Sequence, residues 1–258
     1  MTAVATAAAE RGALVADRVR PGEIWRIVRL LAVNPTVFFG VPWMILGGAW
    51  VVTMLIALIA HAAGAPVDEM QEGMRYSWAV LSPQWYLVVV GVQAVAYTLS
   101  FALGFGSTRR DYWLGMSIMF LFVSTEMAVA IATLVQIEQA TDGWWIGAGM
   151  FDALWYGQSG WLFDFYTTFS LQLFVLFIGA AVTTVYMRWR MKGMMTLLFS
   201  VLALVLAAVA AITLTGSGPA VASWFAAIGL GGLFGIVLVL AVVVGIAGYF
   251  VVRRATPR

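Results

Sequence analysis

Glu126 is the one carboxylate set deep inside an apolar run. It lies 13 residues after Trp113 in the stretch 113–137, about 20 Å along a helix. A charge at that depth costs at least a few kcal/mol unless it is protonated or paired, so the residue is a candidate for handling a proton or a substrate. A protonated Glu bonded to a neighbouring helix would meet the same cost without any function. Ser124 and Thr125 adjoin it but leave a helix on other sides, and Gln93 and Gln172 are the polar side chains that other runs could offer it.

The rest of the chemical inventory is short. His61, the only histidine, stands at the end of the first apolar run with no pattern of metal ligands or catalytic partners around it. With no cysteine there is no disulfide, thiolate metal site or cysteine nucleophile. A phosphate-binding loop needs Gly-Lys followed by Ser or Thr, whereas the single lysine, Lys192, precedes Gly193. The acids Glu138, Asp142, Asp152 and Asp164 lack the nucleophile or metal-binding histidine that lipid chemistry would require. The expectation is a chain that is not an enzyme, with no metal and no cofactor of its own.

Composition sets the elements that must position these groups. Of 258 residues 63% are hydrophobic and 10% charged, well above the apolar share of a water-soluble domain, about 45 to 50%. Six apolar runs, 37–60, 85–104, 113–137, 165–187, 194–214 and 222–252, are each long enough to cross about 30 Å of hydrocarbon as a helix. The expected fold is all-α, a polytopic membrane bundle of six transmembrane helices forming one domain over 21–258, after a flexible tail over 1–20.

Charge gives the direction. Alternating the sides of six spans places every basic residue but Arg75 on one side, including Arg109, Arg110, Arg188, Arg190, Lys192, Arg253 and Arg254. By the positive-inside rule that side is cytoplasmic, with both termini in the cytoplasm and the spans in the plasma membrane. The net charge of +2 is then explained by orientation and implies no nucleic acid.

Three segments outside the spans have a pattern of their own. From Pro21, apolar residues alternate with Arg26 and Arg29 at helical spacing, predicting an interfacial helix that carries Glu23, Trp25, Arg26 and Arg29 and ends at Asn34-Pro35. Between the second and third runs, Ser107 or Thr108 is placed to cap a short helix. The segment 138–164 mixes Trp144, Trp145, Trp155, Tyr156 and Trp161 with Gly and acids. A partly amphipathic stretch over 146–155 resting on the outer lipid surface is preferred there to a lid. In the last run Gly231 and Gly235 make a small face for close packing against a neighbour in the same chain or in a second subunit.

The sequence Gly106-Ser107-Thr108-Arg109-Arg110-Asp111-Tyr112-Trp113-Leu114-Gly115 resembles the cytoplasmic turn of bacterial ABC transporter permeases, in particular small actinobacterial ones of the type-2 exporter class. Ile137-Glu138-Gln139-Ala140-Thr141-Asp142-Gly143-Trp144 and Val185-Tyr186-Met187-Arg188-Trp189 are similar to the same group. The resemblance implies a permease that pairs with a second copy or homologue within membrane lipid and docks a separate ATPase, which holds ATP and Mg. It also implies that Thr108, Arg109, Arg110 and Asp111 contact that ATPase, flanked by the helix around Glu23 to Arg29. Many such exporters carry their large outer segment between the last two spans, whereas here it follows the third. The alternatives are a proton-coupled secondary transporter using Glu126, or a non-transporting membrane scaffold or immunity protein. The absence of an internal repeat between the halves and of proline inside the second to sixth spans counts against the proton-coupled transporter.

Overall fold

The computed structural model describes residues 21–254; the tail over 1–20 and residues 255–258 lie outside the described residues. Every regular element among the described residues is helical, and five helical stretches are long and apolar enough to cross a membrane. A short helix α1 (Pro21–Ala32) stops before Asn34-Pro35, and a wide helical turn (Thr36–Gly40) leads into α2 (Val41–Ala62). Next come α3 (Val67–Met74), α4 (Ser82–Gly104), α5 (Arg109–Ala140), α6 (Trp161–Leu214) and α7 (Gly218–Arg253).

Two of these helices are interrupted. At 54 residues α6 would run about 80 Å if straight, but its helical geometry breaks at Arg190 (φ 55°, ψ −146°). A left-handed φ is unusual for a residue with a side chain, and Arg190 and Arg188 lie over the rings of Tyr186 and Trp189 at 5.7 and 4.2 Å. Beyond the break, residues 195–211 are exposed at nearly every position. In α7 the break falls at Gly229 (φ 60°), where the absence of a Cβ removes the steric cost.

The first half of α6 is the centre of the bundle and packs against α4, α5 and α7. Its contact with α4 is backbone to backbone. A Cβ on Gly91 would lie 2.2 Å from Leu176 O, and one on Gly179 would lie 2.2 Å from Val88 O. The Gly231 and Gly235 face finds its neighbour within the same chain, since Tyr166 Oη donates to Gly231 O at 3.1 Å and lies 3.2 Å from where a Gly235 Cβ would be. These two glycine contacts differ in tolerance. Gly91→Val is expected to cost at least about 3 kcal/mol and lower the midpoint of thermal unfolding in detergent by about 10 °C. Gly231→Ala, whose Cβ would meet only Phe163 at 3.8 Å, should leave the midpoint within about 2 °C. Fluorescence-detected melting of the two variants checks both.

The charges separate to two ends. At one, Ile27 of α1 packs on Gly115 of α5, Trp113 packs on Gly248 of α7, and Arg109 reaches the last carbonyls of α7. This basic end gathers Arg26, Arg29, Arg109, Arg110, Arg253 and Arg254. At the other end Trp161 Nε1 donates to Thr133 Oγ1 at 3.2 Å and Leu154 N to Arg75 O at 2.8 Å, and here lie Asp68, Glu72, Glu138, Asp142, Asp152 and Asp164. The 32 residues of α5 join the two ends, a distance of about 48 Å.

Candidate functional site

The basic end is built on the first turn of α5. Thr108 is extended, and its Oγ1 accepts from Asp111 N at 3.1 Å, an N-cap that satisfies one of the free donors of a helix start. The capped helix is α5 itself, so the short separate helix expected in this turn is absent. Arg109 Nη1 donates to Val252 O at 3.3 Å and Arg253 O at 3.1 Å, placing a cation on the negative end of the α7 dipole. Tyr112 Oη donates to Ala94 O and shares a 2.5 Å bond with Thr98 Oγ1, which ties α5 to α4. The turn therefore holds α4, α5 and α7 together, with α1 resting on Gly115.

The residues expected to meet a partner differ in exposure. Asp111 is 2% exposed and sits inside the junction, its backbone capped by Thr108. Arg109 is committed to α7. Arg110 lines a groove between α5, α6 and α7. On α1, Trp25, Arg26 and Arg29 are exposed, and Glu23 pairs with Arg26 at 3.3 Å. Phe105, 60% exposed at the tip of the turn beside Gly106 (φ 82°), is an exposed apolar side chain that the charge pattern did not single out.

Glu126 is half-buried and faces α2. Its Oε1 accepts from Trp43 Nε1 at 2.8 Å, while Oε2 is buried without a hydrogen-bond partner. Neither Gln93 nor Gln172 reaches it. Gln93 lines a cavity of about 460 Å³ with Leu30 of α1 and Tyr97.

Gln172 instead belongs to a polar level inside the bundle. Gln84 and Gln172 each lie seven residues toward the acidic end from the Gly91–Gly179 crossing, about 10 Å along their helices. Seven residues bring a helix back to within about 20° of the same side, so both glutamines face the α4–α6 interface. Ser124 of α5 comes to the same level, since Phe120 packs edge-on against Phe177 at 5.4 Å and Trp161 bonds Thr133. Gln84 is 6% exposed, Ser124 and Gln172 are 0% exposed, and none of these side chains has a hydrogen-bond partner. The sequence offers Gln172 and Ser124 only as neighbours of Glu126, and Gln84, uncharged and at the start of its helix, does not stand out.

The acidic end corrects the expectation for 146–155. That stretch is irregular and packed inward: Met150, Phe151 and Tyr156 are buried against Leu46, Val80, Leu81, Met127 and Ile131. The segment plugs the end of the bundle, and Trp145 is its exposed tryptophan at 81%. Irregular backbone under cover must find polar partners, and Glu138, 1% exposed, supplies them. Its carboxylate accepts from the backbone N–H of Met150, Phe151 and Asp152 at 2.7 to 3.1 Å and from Trp144 Nε1 at 2.7 Å. Asp164 Oδ1 accepts from Gly157 N at 3.0 Å. Thr168 donates to Tyr156 Oη at 3.1 Å, and burial pushes the Tyr156 phenol up to about 12, so it stays protonated at physiological pH. Outside the plug, Asp68, Glu72, Arg75, Asp142 and Asp152 line a cavity of about 470 Å³. Among the described residues no group of His, Asp or Glu is arranged to hold a metal ion. No family model, curated protein or solved structure matches the chain.

Proposed function

We propose that this chain is the permease subunit of an ATP-driven exporter for an amphipathic or lipid-like substrate, energised by a separate ATPase and paired with a second permease copy. The observation that carries the reading is the junction at the basic end. The four-residue turn 105–108, exposed at Phe105 and Gly106, leads into the first turn of α5, from which Arg109 bonds α7 and Tyr112 bonds α4, and α1 lies beside it. A partner pressing on Phe105 and the basic residues would move three long helices at once, which is what a chain without a nucleotide site needs if it is to use another subunit's ATP.

The topology that fits this role has six crossings and a cytoplasmic basic end. In α7, Gly231 lies beside Phe163, Gly245 beside Phe177 and Gly248 beside Ala181. The two helices thus run parallel, with Arg190 level with the end of α7. The chain is at the basic end at Arg190 and at the acidic end by Gly231, which supports reading the residues between as a crossing of their own. In this arrangement α1 lies at the inner membrane surface with Arg26 and Arg29 toward the headgroups. The exposed stretch after Arg190 faces lipid and the second copy.

Co-expression with an ATPase encoded beside the gene, followed by purification in mild detergent, tests the reading. The ATPase is expected to comigrate with wild type, and an Arg109→Ala, Arg110→Ala double variant should reduce its association about tenfold, through loss of the Arg109 tie between the turn and α7 and of one basic charge at Arg110. Absence of any comigrating ATPase from a folded preparation would remove this reading. The second reading, a proton site at Glu126, would then lead, favoured by the partnerless buried Oε2.

A further inference from the structure

A groove of about 740 Å³ runs down the side of the bundle between α5, α6 and α7. Its wall on α5 is Arg110, Leu114, Ser117 and Leu121, positions that recur at steps of three and four and so share one side of the helix. From Arg110 to Leu121 is 11 residues, about 16 Å, against about 15 Å for half of a hydrocarbon core. The groove is therefore one leaflet deep, with a guanidinium at its mouth and apolar walls below.

Its interior is shaped to take a chain. Trp113 and Phe177 form a floor that is 4% and 8% exposed. At Gly245 a Cβ would already lie 3.2 Å from the Phe177 ring. The Ser117 hydroxyl donates to Trp113 O at 2.8 Å, so the depth of the groove presents little unsatisfied polarity. Ile246 and Phe250 of α7 are 53% and 57% exposed and leave the groove open to one side. At the mouth, Arg109 already neutralises the negative end of α7, which removes the feature that would repel an anion there. A guanidinium has five N–H donors, enough for a phosphate in addition to the contacts Arg110 makes within the chain.

We infer that this groove is a binding site for one anionic phospholipid of the leaflet at the basic end, its phosphate on Arg110 and an acyl chain along Leu114, Leu121 and Ile246. The assignment needs only a membrane-embedded bundle and is independent of any ATPase. A zwitterionic lipid could fill the walls, but its own ammonium would offset the attraction between its phosphate and the guanidinium.

Native mass spectrometry of the full chain in detergent, titrated with phosphatidylglycerol or with phosphatidylcholine of the same acyl chains, tests the site. Wild type should retain one phosphatidylglycerol per chain about fivefold more tightly than phosphatidylcholine, the factor expected of one basic residue at an anionic headgroup. Arg110→Ala should bring the two lipids to equal affinity. Ile246→Trp, on an exposed wall where folding is not at stake, should weaken both. Equal retention of the two lipids by wild type, or unchanged retention in Ile246→Trp, overturns the site. Displacement of the bound lipid by millimolar inorganic phosphate would also overturn it, because the groove would then be reading a free anion.

Discussion

Removing the Glu138 carboxylate opens the plug. Glu138→Ala takes the acceptor away from three backbone N–H groups and the Trp144 indole, all in a segment whose Met150 and Phe151 are buried. A hydrogen bond to a charged group contributes about 1.5 to 3 kcal/mol, and a buried donor left unpaired costs about 1 to 3. Because the segment can relax toward water, the expected loss is about 4 kcal/mol, confined to residues 142–157. Hydrogen exchange at Met150, Phe151 and Asp152 should accelerate by about a hundredfold or more, while the α4–α6 crossing keeps its protection. Glu138→Gln retains one carbonyl oxygen but turns an NH2 toward the other donors, so it should fall between wild type and Ala. Were apolar burial alone to hold the plug, Gln would behave as wild type.

The second large effect has the opposite sign on stability. Gln84 and Gln172 are buried without partners at the α4–α6 interface, an arrangement that costs about 1 to 3 kcal/mol for each unsatisfied group. Methionine has nearly the same shape and no such requirement. The Gln84→Met, Gln172→Met double variant is therefore expected to raise the unfolding midpoint by about 5 °C or more. If the two carboxamides receive a polar part of the substrate, the same variant should lose most of its transport in proteoliposomes. A lower midpoint would mean that the glutamines are satisfied in the folded protein and hold the bundle together. A raised midpoint with full transport would mean that they serve no part of the transport cycle.

Much of the architecture was legible in the sequence because lipid imposes strict rules on it. Apolar runs, the end of α1 at Asn34-Pro35 and the Thr108 cap each depend on a few neighbouring residues, and each is present in the fold. The site was less legible. Glu126 is conspicuous in the sequence as a charge in an apolar run, yet it meets Trp43 of α2, a partner 83 residues away that no local pattern indicates. Asp111 reads as an exposed acid in a polar turn, but it is buried in the first turn of α5. The segment 138–164 has the tryptophans of a lipid-surface segment, but the Trp144 indole turns inward to Glu138, which also gathers the backbone of the loop.

What the sequence determined by itself is the helical, membrane-embedded character of the chain, the separation of basic from acidic connections and the lack of a phosphate loop. These follow from composition and from spacing within a single helix. Only the tertiary structure decided which glycines are indispensable, that Arg109 holds α7, that the segment 142–157 is a plug and that Gln84, Ser124 and Gln172 share a level. Each of these depends on the register between helices. That register is set where Gly91 and Gly179 let two backbones touch, and a contact between residues 88 positions apart leaves no periodic trace in the chain that makes it.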